Sequence, residues 1–439
     1  LQGHLASGVP GTVDGMWRAF NKLSKLKDWS RLLLPAIELA EQGFAISSQE
    51  ANWLNRYHEY FIRVNEIKPV FVKDEQWNTG DTLVQPELAK TLKTIAEEGR
   101  EGFYSGKVAA YMLEEMKKGG GIITQEDLTS YKSIWRKPVK GTYGPYTIIS
   151  MPPPSSGGVA LCQLFNAISA YDIGSLGFHS ADAIHLIVEA ERRVYADRAM
   201  HLGDNDFYDV PVDQLMDKSY MLDRMSDVKM EMATQSDSIH AGTFNESEQT
   251  THFSIVDQWG NAVSLTTTIN TAYGSKLVIP GAGFLMNNEM DDFSTKQGVA
   301  NYFGLLGNEA NAIEPGKRML SSMSPTIVEK EGELHVVLGS PGGSTIITSV
   351  FQVLLNIMEF GMSAEEATAA CRFHHQWQPD EIKVEDACFE TDLIDDLKGR
   401  GHRIVERSSI GRIETIVIND DKLLDAAADP RGDDSASGK

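Results

Sequence analysis

The stretch QTTHFSIVDQWGNAVSLTTTIN, residues 249–270, decides the fold. From Thr251 to Val256 polar and apolar residues alternate, Gln258-Trp259-Gly260-Asn261 supplies turn chemistry, and Ala262 to Ile269 is rich in Thr and Val. That pattern predicts a β-hairpin. Before it, from Met216 to Glu248, the chain is polar with few large apolar residues and reads as an exposed linker. A threonine that follows such a linker and opens a strand is a candidate nucleophile. Its hydroxyl is weak until a base takes the proton. When Thr is the first residue of a chain, its own α-amine, with an unperturbed pKa of about 7.7–8.0, can be that base. The arrangement requires a cut between Gln249 and Thr250, and an exposed linker is where a cut is tolerated. The same residues also suit the plain start of a Thr-rich strand.

Outward from the hairpin, the first half of the chain reads mainly helical. Leu32 to Gly43 and Ser105 to Lys118 carry apolar residues at helical spacing and stop at glycines. Thr124 with Asp127 three residues on marks a helix start. Tyr146 to Ser150 is strand-like and runs into Pro152-Pro153-Pro154-Ser155-Ser156-Gly157-Gly158, which predicts a constrained loop. A long amphipathic helix is expected from about His179 to Met200. After the hairpin, Leu334 to Leu338 is an apolar strand, followed by Gly339-Ser340-Pro341-Gly342-Gly343-Ser344 and a helix over residues 346–360. Ser363 and Glu366 form a capping box, and further strands are expected near Ile404 and at Thr415 to Ile418. Strands with helices on both sides predict an α/β layered arrangement of αββα order.

Composition narrows the function classes. The 439 residues carry 62 acidic against 40 basic side chains, a formal charge of −22, with no basic cluster of the kind that nucleic-acid phosphates require. No nucleic-acid partner is expected. No run approaches ~18 apolar residues, so no membrane span is expected either. Cys162, Cys371 and Cys388 are odd in number and lack metal-like spacing; a disulfide framework is not expected, and the redox compartment stays open. There is no His-Glu-x-x-His, no Cys-x-x-Cys and no phosphate-binding glycine loop. Adjacent His374 and His375 diverge on any regular element and read as structural. Neither a metal nor a cofactor is expected.

Two further features bear on chemistry. Gly342 and Gly343 sit between a strand and a helix start, where bare backbone N–H groups and helix dipole can form an oxyanion hole, although an ordinary strand-to-helix turn looks the same. The run Asn287-Asn288-Glu289-Met290-Asp291-Asp292 gathers carboxylates and amides that could bind an ammonium group, although a polar surface turn is the commoner reason for such a run.

Taken together, these motifs resemble the γ-glutamyltransferase (γ-glutamyltranspeptidase) family of N-terminal-nucleophile hydrolases. The resemblance rests on TTHFSIVD at residues 250–257, NNEMDDFS at 287–294, LSSMSPT at 320–326 and GSPGGS at 339–344. GHLASGVPGTV at 3–13, MPPPSSGG at 151–158 and YADR at 195–198 extend it, in register, nearly end to end. It implies a self-processing enzyme with an αββα sandwich, cut into a large-subunit portion, residues 1–249, and a small subunit, residues 250–439. Thr250 would be the nucleophile, Gln249 the residue left behind, and Thr268 its hydrogen-bonding support. Gly342 and Gly343 would supply oxyanion N–H groups. Asn270, Glu289 and Asp292 would bind the α-ammonium of a γ-glutamyl donor, and Ser321 and Ser322 its α-carboxylate.

The implied substrates are glutathione and other γ-glutamyl amides, the acceptors water, amino acids or peptides, and the location periplasmic or secreted. Two departures carry expectations of their own. The family's large subunit starts upstream of Leu1, and that part carries an arginine for the donor carboxylate. The family's lid maps to about residues 297–307, where Phe303 replaces a tyrosine that some members bond to the Asn270 equivalent; Phe303 lacks the hydroxyl, neighbouring Tyr302 has one, and a looser lid is implied. Alternative readings are a cephalosporin or glutaryl acylase of the same fold and an inactive truncated relic.

Overall fold

A computed structural model describes residues 1–239, 250–294, 299 and 301–438. The chain forms two compact units, Leu1–Trp135 with Ile269–Met290, and Arg136–Thr268 with Asp291–Lys439. Neither boundary falls at Thr250, and each unit takes chain from both sides of it.

The first unit is mostly helical. The expected helix at residues 32–43 runs Ser30–Gln42 and ends on Gly43 at φ 80°, where an added Cβ would lie 2.6 Å from the Thr82 side chain. The one expected at residues 105–118 runs Gly106–Gly119 and closes on left-handed Gly120, and Thr124 forms its capping box with Asp127. Tyr104, Met112 and Leu128 are fully buried against Leu277, Ile279 and Met286 of the returning segment. Buried Asp14 ties three stretches together, accepting from Arg100 Nε at 2.7 Å and from the Ser133 backbone and hydroxyl at 2.6 Å.

The second unit is layered. Its strands are β1 (Val139–Tyr143), β2 (Tyr146–Ser150), β3 (Thr251–Val256), β4 (Ala262–Thr267), β5 (Thr326–Lys330), β6 (Glu333–Gly339), β7 (Phe373–His374), β8 (Ile382–Glu385), β9 (Ile404–Arg407), β10 (Glu414–Ile418) and β11 (Leu424–Ala427). Its three long helices are α1 (Gly157–Ile168), α2 (Ala181–His201) and α3 (Thr345–Phe360). A six-stranded antiparallel sheet has the order β11-β10-β6-β5-β2-β1. On one face Ile148, Val328, Val336 and Leu338 pack against Leu161 and Phe165 of α1 and Val350 and Phe351 of α3. Fully burying each such side chain contributes roughly 1.5–3 kcal/mol. On the other face lies the β3–β4 hairpin, whose Ser254 and Ser264 hydroxyls donate to the Glu414 and Leu338 carbonyls at 2.8 Å. Helix, sheet and hairpin sheet are three successive layers of the αββα order.

Three sequence expectations need correction. Helix α2 is not amphipathic: every residue from Ala183 to Ala199 is buried. Most of its charges are paired inside, Arg193 with Glu189 at 2.6 Å, Asp197 with Arg224 at 2.9 Å and Arg192 with Asp380. The segment expected as exposed linker contains a helix, Lys218–Met225, capped by Asp217 and anchored by buried Met221 and Met225, while residues 240–248 lie outside the described residues. Cys371 and Cys388 form a disulfide across 17 residues, leaving Cys162 as a buried free thiol.

Four histidines are held neutral by burial. Desolvation drives His252 and His375 down to about 3, and His179 and His402 down to about 4, from 6.5. A depressed folded-state value means the neutral form stabilises the fold fully above pH 6.5, and this stability drains as pH falls from 6.5 towards 3. The melting temperature should therefore fall by on the order of 5 °C between pH 7 and pH 4.5, measured by circular dichroism. A flat profile over that window would contradict the burial of these rings.

Candidate active site

Thr250 immediately precedes β3, and its half-buried hydroxyl donates to Thr268 Oγ1 at 3.4 Å just past the end of β4. The two residues meet because β3 and β4 pair in strict register, Thr251 opposite Thr267 through Val256 opposite Ala262. Gln249 lies outside the described residues. The hairpin is seated by His252, whose ring bonds Thr266 Oγ1 at 2.8 Å and Ser254 Oγ at 3.1 Å and lies on Gly339 so closely that a Cβ there would stand 2.2 Å from it. Held neutral, His252 is packing, not a charge.

Three residues beyond Gly339 comes the glycine turn. Gly342 has φ 136° and Gly343 φ 56°, conformations that L side chains rarely adopt. Their carbonyls accept from Thr345 and Ile346 at the start of α3, while neither N–H has an acceptor among the described residues. Two adjacent unsatisfied N–H groups at a helix start are what an oxyanion needs. The turn is braced from behind: Tyr195 donates to the Ser344 carbonyl, and the Ser344 hydroxyl donates to Gln376 Oε1 at 2.8 Å. His374 lies between Thr348 and Gln376, 2.8 and 2.9 Å away, so the adjacent histidines are structural as expected.

Tyr302 and Phe303, expected in a lid, lie among the described residues. Phe303 is buried, its ring 2.4 Å from where a Gly343 Cβ would sit. Its carbonyl accepts from Gln376 Nε2 at 3.4 Å, and Tyr302 N donates to Asp291 Oδ2 at 2.7 Å. Half-buried Asp292 accepts from Asn301 Nδ2 at 3.2 Å. In the other unit, buried Asn270 donates to the Asn288 carbonyl at 3.1 Å, and the Glu289 N–H donates to Asn287 Oδ1 at 3.1 Å. With Asn287 and Asn288 themselves buried, this run is no surface turn. Ser322 is buried and Ser321 half-buried; the Ser321 carbonyl accepts from Ser156 N and Oγ at 2.8 and 2.7 Å.

One functional neighbour escaped sequence reasoning. Arg198, in the YADR motif at the end of α2, donates through Nη2 to Ser322 Oγ at 3.0 Å and through Nε to Ser156 Oγ at 2.9 Å. Burial pushes its guanidinium down to about 10, against the pull of Tyr195 and Asp292, so it stays charged at neutral pH. The clue was its place in the YADR motif, which the resemblance marks without giving the arginine a role. Among the described residues, His185, Glu189 and His402 come within 4.8 Å of one another as a metal trio would. Their donor atoms are already engaged. His185 Nε2 donates to the Lys229 carbonyl at 3.0 Å, which leaves its Nδ1 to accept from His402 at 2.8 Å, and Glu189 holds Arg193.

Comparison with known proteins agrees with this geometry. The chain is similar to a cephalosporin acylase from Bacillus halodurans of known structure, TM-score 0.86 at 24% identity over 98% of this chain and 78% of that one, a likeness of fold. It is 44% identical to a glutathione hydrolase proenzyme of Escherichia coli over 100% of this chain and 76% of that protein. It is 36% identical to an acylase ACY 1 proenzyme of a Pseudomonas species over 98% of this chain and 75% of that one. The family model for gamma-glutamyltranspeptidase matches residues 1–439, and the chain belongs to that family.

Proposed function

We propose that this chain is a self-processing γ-glutamyl acyltransferase and hydrolase acting on glutathione and related γ-glutamyl amides. The observation that carries the reading is the Thr250 hydroxyl bonded to Thr268 at the mouth of a hairpin seated on the strand that leads into the Gly342–Gly343 turn. Self-cleavage between Gln249 and Thr250 frees the Thr250 amine. That amine takes the hydroxyl proton as Oγ1 attacks the γ-carbonyl carbon, and the oxyanion is received by the Gly342 and Gly343 N–H groups. The C–N bond breaks, the proton passes to the leaving amine, and a γ-glutamyl ester of Thr250 remains. Water or an acceptor amine attacks the ester and restores the hydroxyl. Asp292 attracts the donor α-ammonium; Asn270 and Glu289 are assigned to it by resemblance, and Ser321 and Ser322 to the α-carboxylate. Fixing both ends of the glutamyl group lowers the entropic part of the barrier. The Cys371–Cys388 disulfide supports an oxidising location, periplasmic or secreted.

The Thr250→Ala variant should run as one uncut polypeptide without activity on denaturing gels, where the parent gives two bands with a new terminus Thr-Thr-His. Cutting at the same bond in the variant would refute the nucleophile, and a parent that never cuts would revive the relic reading.

The acylase reading draws on the Pseudomonas relative and the Bacillus fold, but a glutaryl group has no ammonium and leaves Asp292 without a role. Purified enzyme should therefore hydrolyse γ-glutamyl-p-nitroanilide at least ten times faster than glutaryl-p-nitroanilide; the reverse order would favour the acylase. Gly343→Ala forces a Cβ onto Phe303 and a strained φ on the turn. In processed enzyme it should lower kcat by roughly 10²-fold, the scale of losing one oxyanion donor, and an unchanged kcat would remove this turn from the mechanism.

A further inference from the structure

Four arginines are 3% exposed or less among the described residues: Arg192, Arg193, Arg198 and Arg372. Three of them touch carboxylates, Arg192 that of Asp380, Arg193 that of Glu189 and Arg372 that of Asp429. Arg198 touches none; its partners are the hydroxyls of Ser156 and Ser322. A buried cation without a counter-ion is costly unless an anion arrives, and Arg198 lines a small cavity with Asp292, Asn301, Asn311 and Leu320. Asp292 attracts the guanidinium across that cavity without contact.

The hydroxyl protons point to where the anion belongs. Ser156 Oγ accepts from Arg198 Nε and gives its own proton to the Ser321 carbonyl at 2.7 Å. Ser322 Oγ accepts from Arg198 Nη2, and its proton has no acceptor among the described residues. Ser321 Oγ accepts from Met323 N at 3.0 Å, and its proton is likewise uncommitted. Arg198 thus occupies a lone pair of Ser322 directly and reaches the Ser321 backbone through Ser156, while the Ser321 and Ser322 hydroxyl protons are left for a ligand. A chain from guanidinium to hydroxyl to anion polarises each bond in turn and strengthens the last.

Resting on the reading above, we propose that Arg198 is a positioning residue for the carboxylate end of the donor, acting through Ser156, Ser321 and Ser322. It fixes the direction of the Ser322 hydroxyl, holds the Ser321 backbone through Ser156, and supplies a buried positive charge beside the pair. This gives the MPPPSSGG, YADR and LSSMSPT motifs one joint task. The Pro-rich loop brings Ser156, the helix end brings Arg198, and the segment leading into β5 brings the serine pair.

The test compares two donors in the purified, processed enzyme: γ-glutamyl-p-nitroanilide and 4-aminobutyryl-p-nitroanilide, which keeps the ammonium and lacks the carboxylate. The parent should favour the first in kcat/KM. In Arg198→Gln that preference should shrink at least tenfold, mainly through a higher KM for the γ-glutamyl donor, with Arg198→Lys recovering part of it by restoring charge without the two-pronged geometry. Should Arg198→Gln fail to process, Ser156→Ala, which removes the Nε anchor and the bond to the Ser321 carbonyl but keeps the guanidinium, should shrink the preference about threefold. A merely structural role would slow both donors alike. An unchanged preference in Arg198→Gln, or in Ser156→Ala where it is the processed variant, overturns the inference while leaving the γ-glutamyl reading intact. A processed parent that cleaves neither anilide overturns that reading instead.

Discussion

The ring of His252 against the bare backbone of Gly339 is the contact on which the site depends. Because Gly339 has no side chain, the β3–β4 hairpin settles onto β6 at one place, and the hydroxyls of Ser254 and Ser264 lock it there by bonding sheet carbonyls on either side. Thr250 lies two residues upstream of that ring, and Gly342 three residues downstream of that glycine. At about 3.3–3.6 Å per extended residue, the chain cannot separate the nucleophile from the glycine turn by more than roughly 20 Å, and no other element need adjust for the two to meet. One missing Cβ therefore does the work of a joint between two halves of a catalytic apparatus that come from distant parts of the sequence.

Around that joint the interior is unusually polar, and its order comes from pairing. Helix α2 is enclosed on every side yet carries Glu189, Glu191, Arg192, Arg193, Asp197 and Arg198. Three of these side chains tie α2 to other elements: Arg192 to the segment after β7, Asp197 to the helix Lys218–Met225, and Arg198 to Ser322 before β5. Glu191 has no cation partner among the described residues; burial raises its carboxyl well above 4.5, and the His375 N–H donates to it at 2.8 Å. Since leaving one member of such a pair alone is far more destabilising than removing both, these contacts specify register more than they add stability.

The same interior explains what could be read from the sequence and what could not. The hairpin was legible because alternation and turn residues are local signals; β3 and β4 begin and end within two residues of the expected limits. Capping boxes at Thr124 and Ser363 are local too, and both formed. Helix α2 was taken for amphipathic because a charged side chain normally marks a solvent face, and the partners that allow it inside, Arg224 and Asp380, lie 27 and 188 residues away. The helix at residues 218–225 hid in a polar stretch because only two methionines anchor it. The disulfide hid behind an odd cysteine count. Thr250, Thr268 and the glycine turn were found through motif resemblance, which names residues but not the bonds between them.

Those bonds change the meaning of the serine pair. A hydroxyl facing a carboxylate is a weak, neutral partner, and two of them alone would hold an anion loosely in competition with water. A guanidinium bonded to the far side of Ser322, and through Ser156 to the Ser321 carbonyl, makes this end of the site behave as the front of a buried charge, while keeping that charge out of reach of solvent ions that would screen it. Placing the cation behind the hydroxyls also keeps it off Asp292, with which a direct ion pair would close the cavity against a donor that needs both signs at once. The glutamyl head carries a positive and a negative group on one carbon. A site for it needs both signs close by, and Arg198 and Asp292 line one cavity, with the guanidinium bonded to serine hydroxyls instead of to the carboxylate.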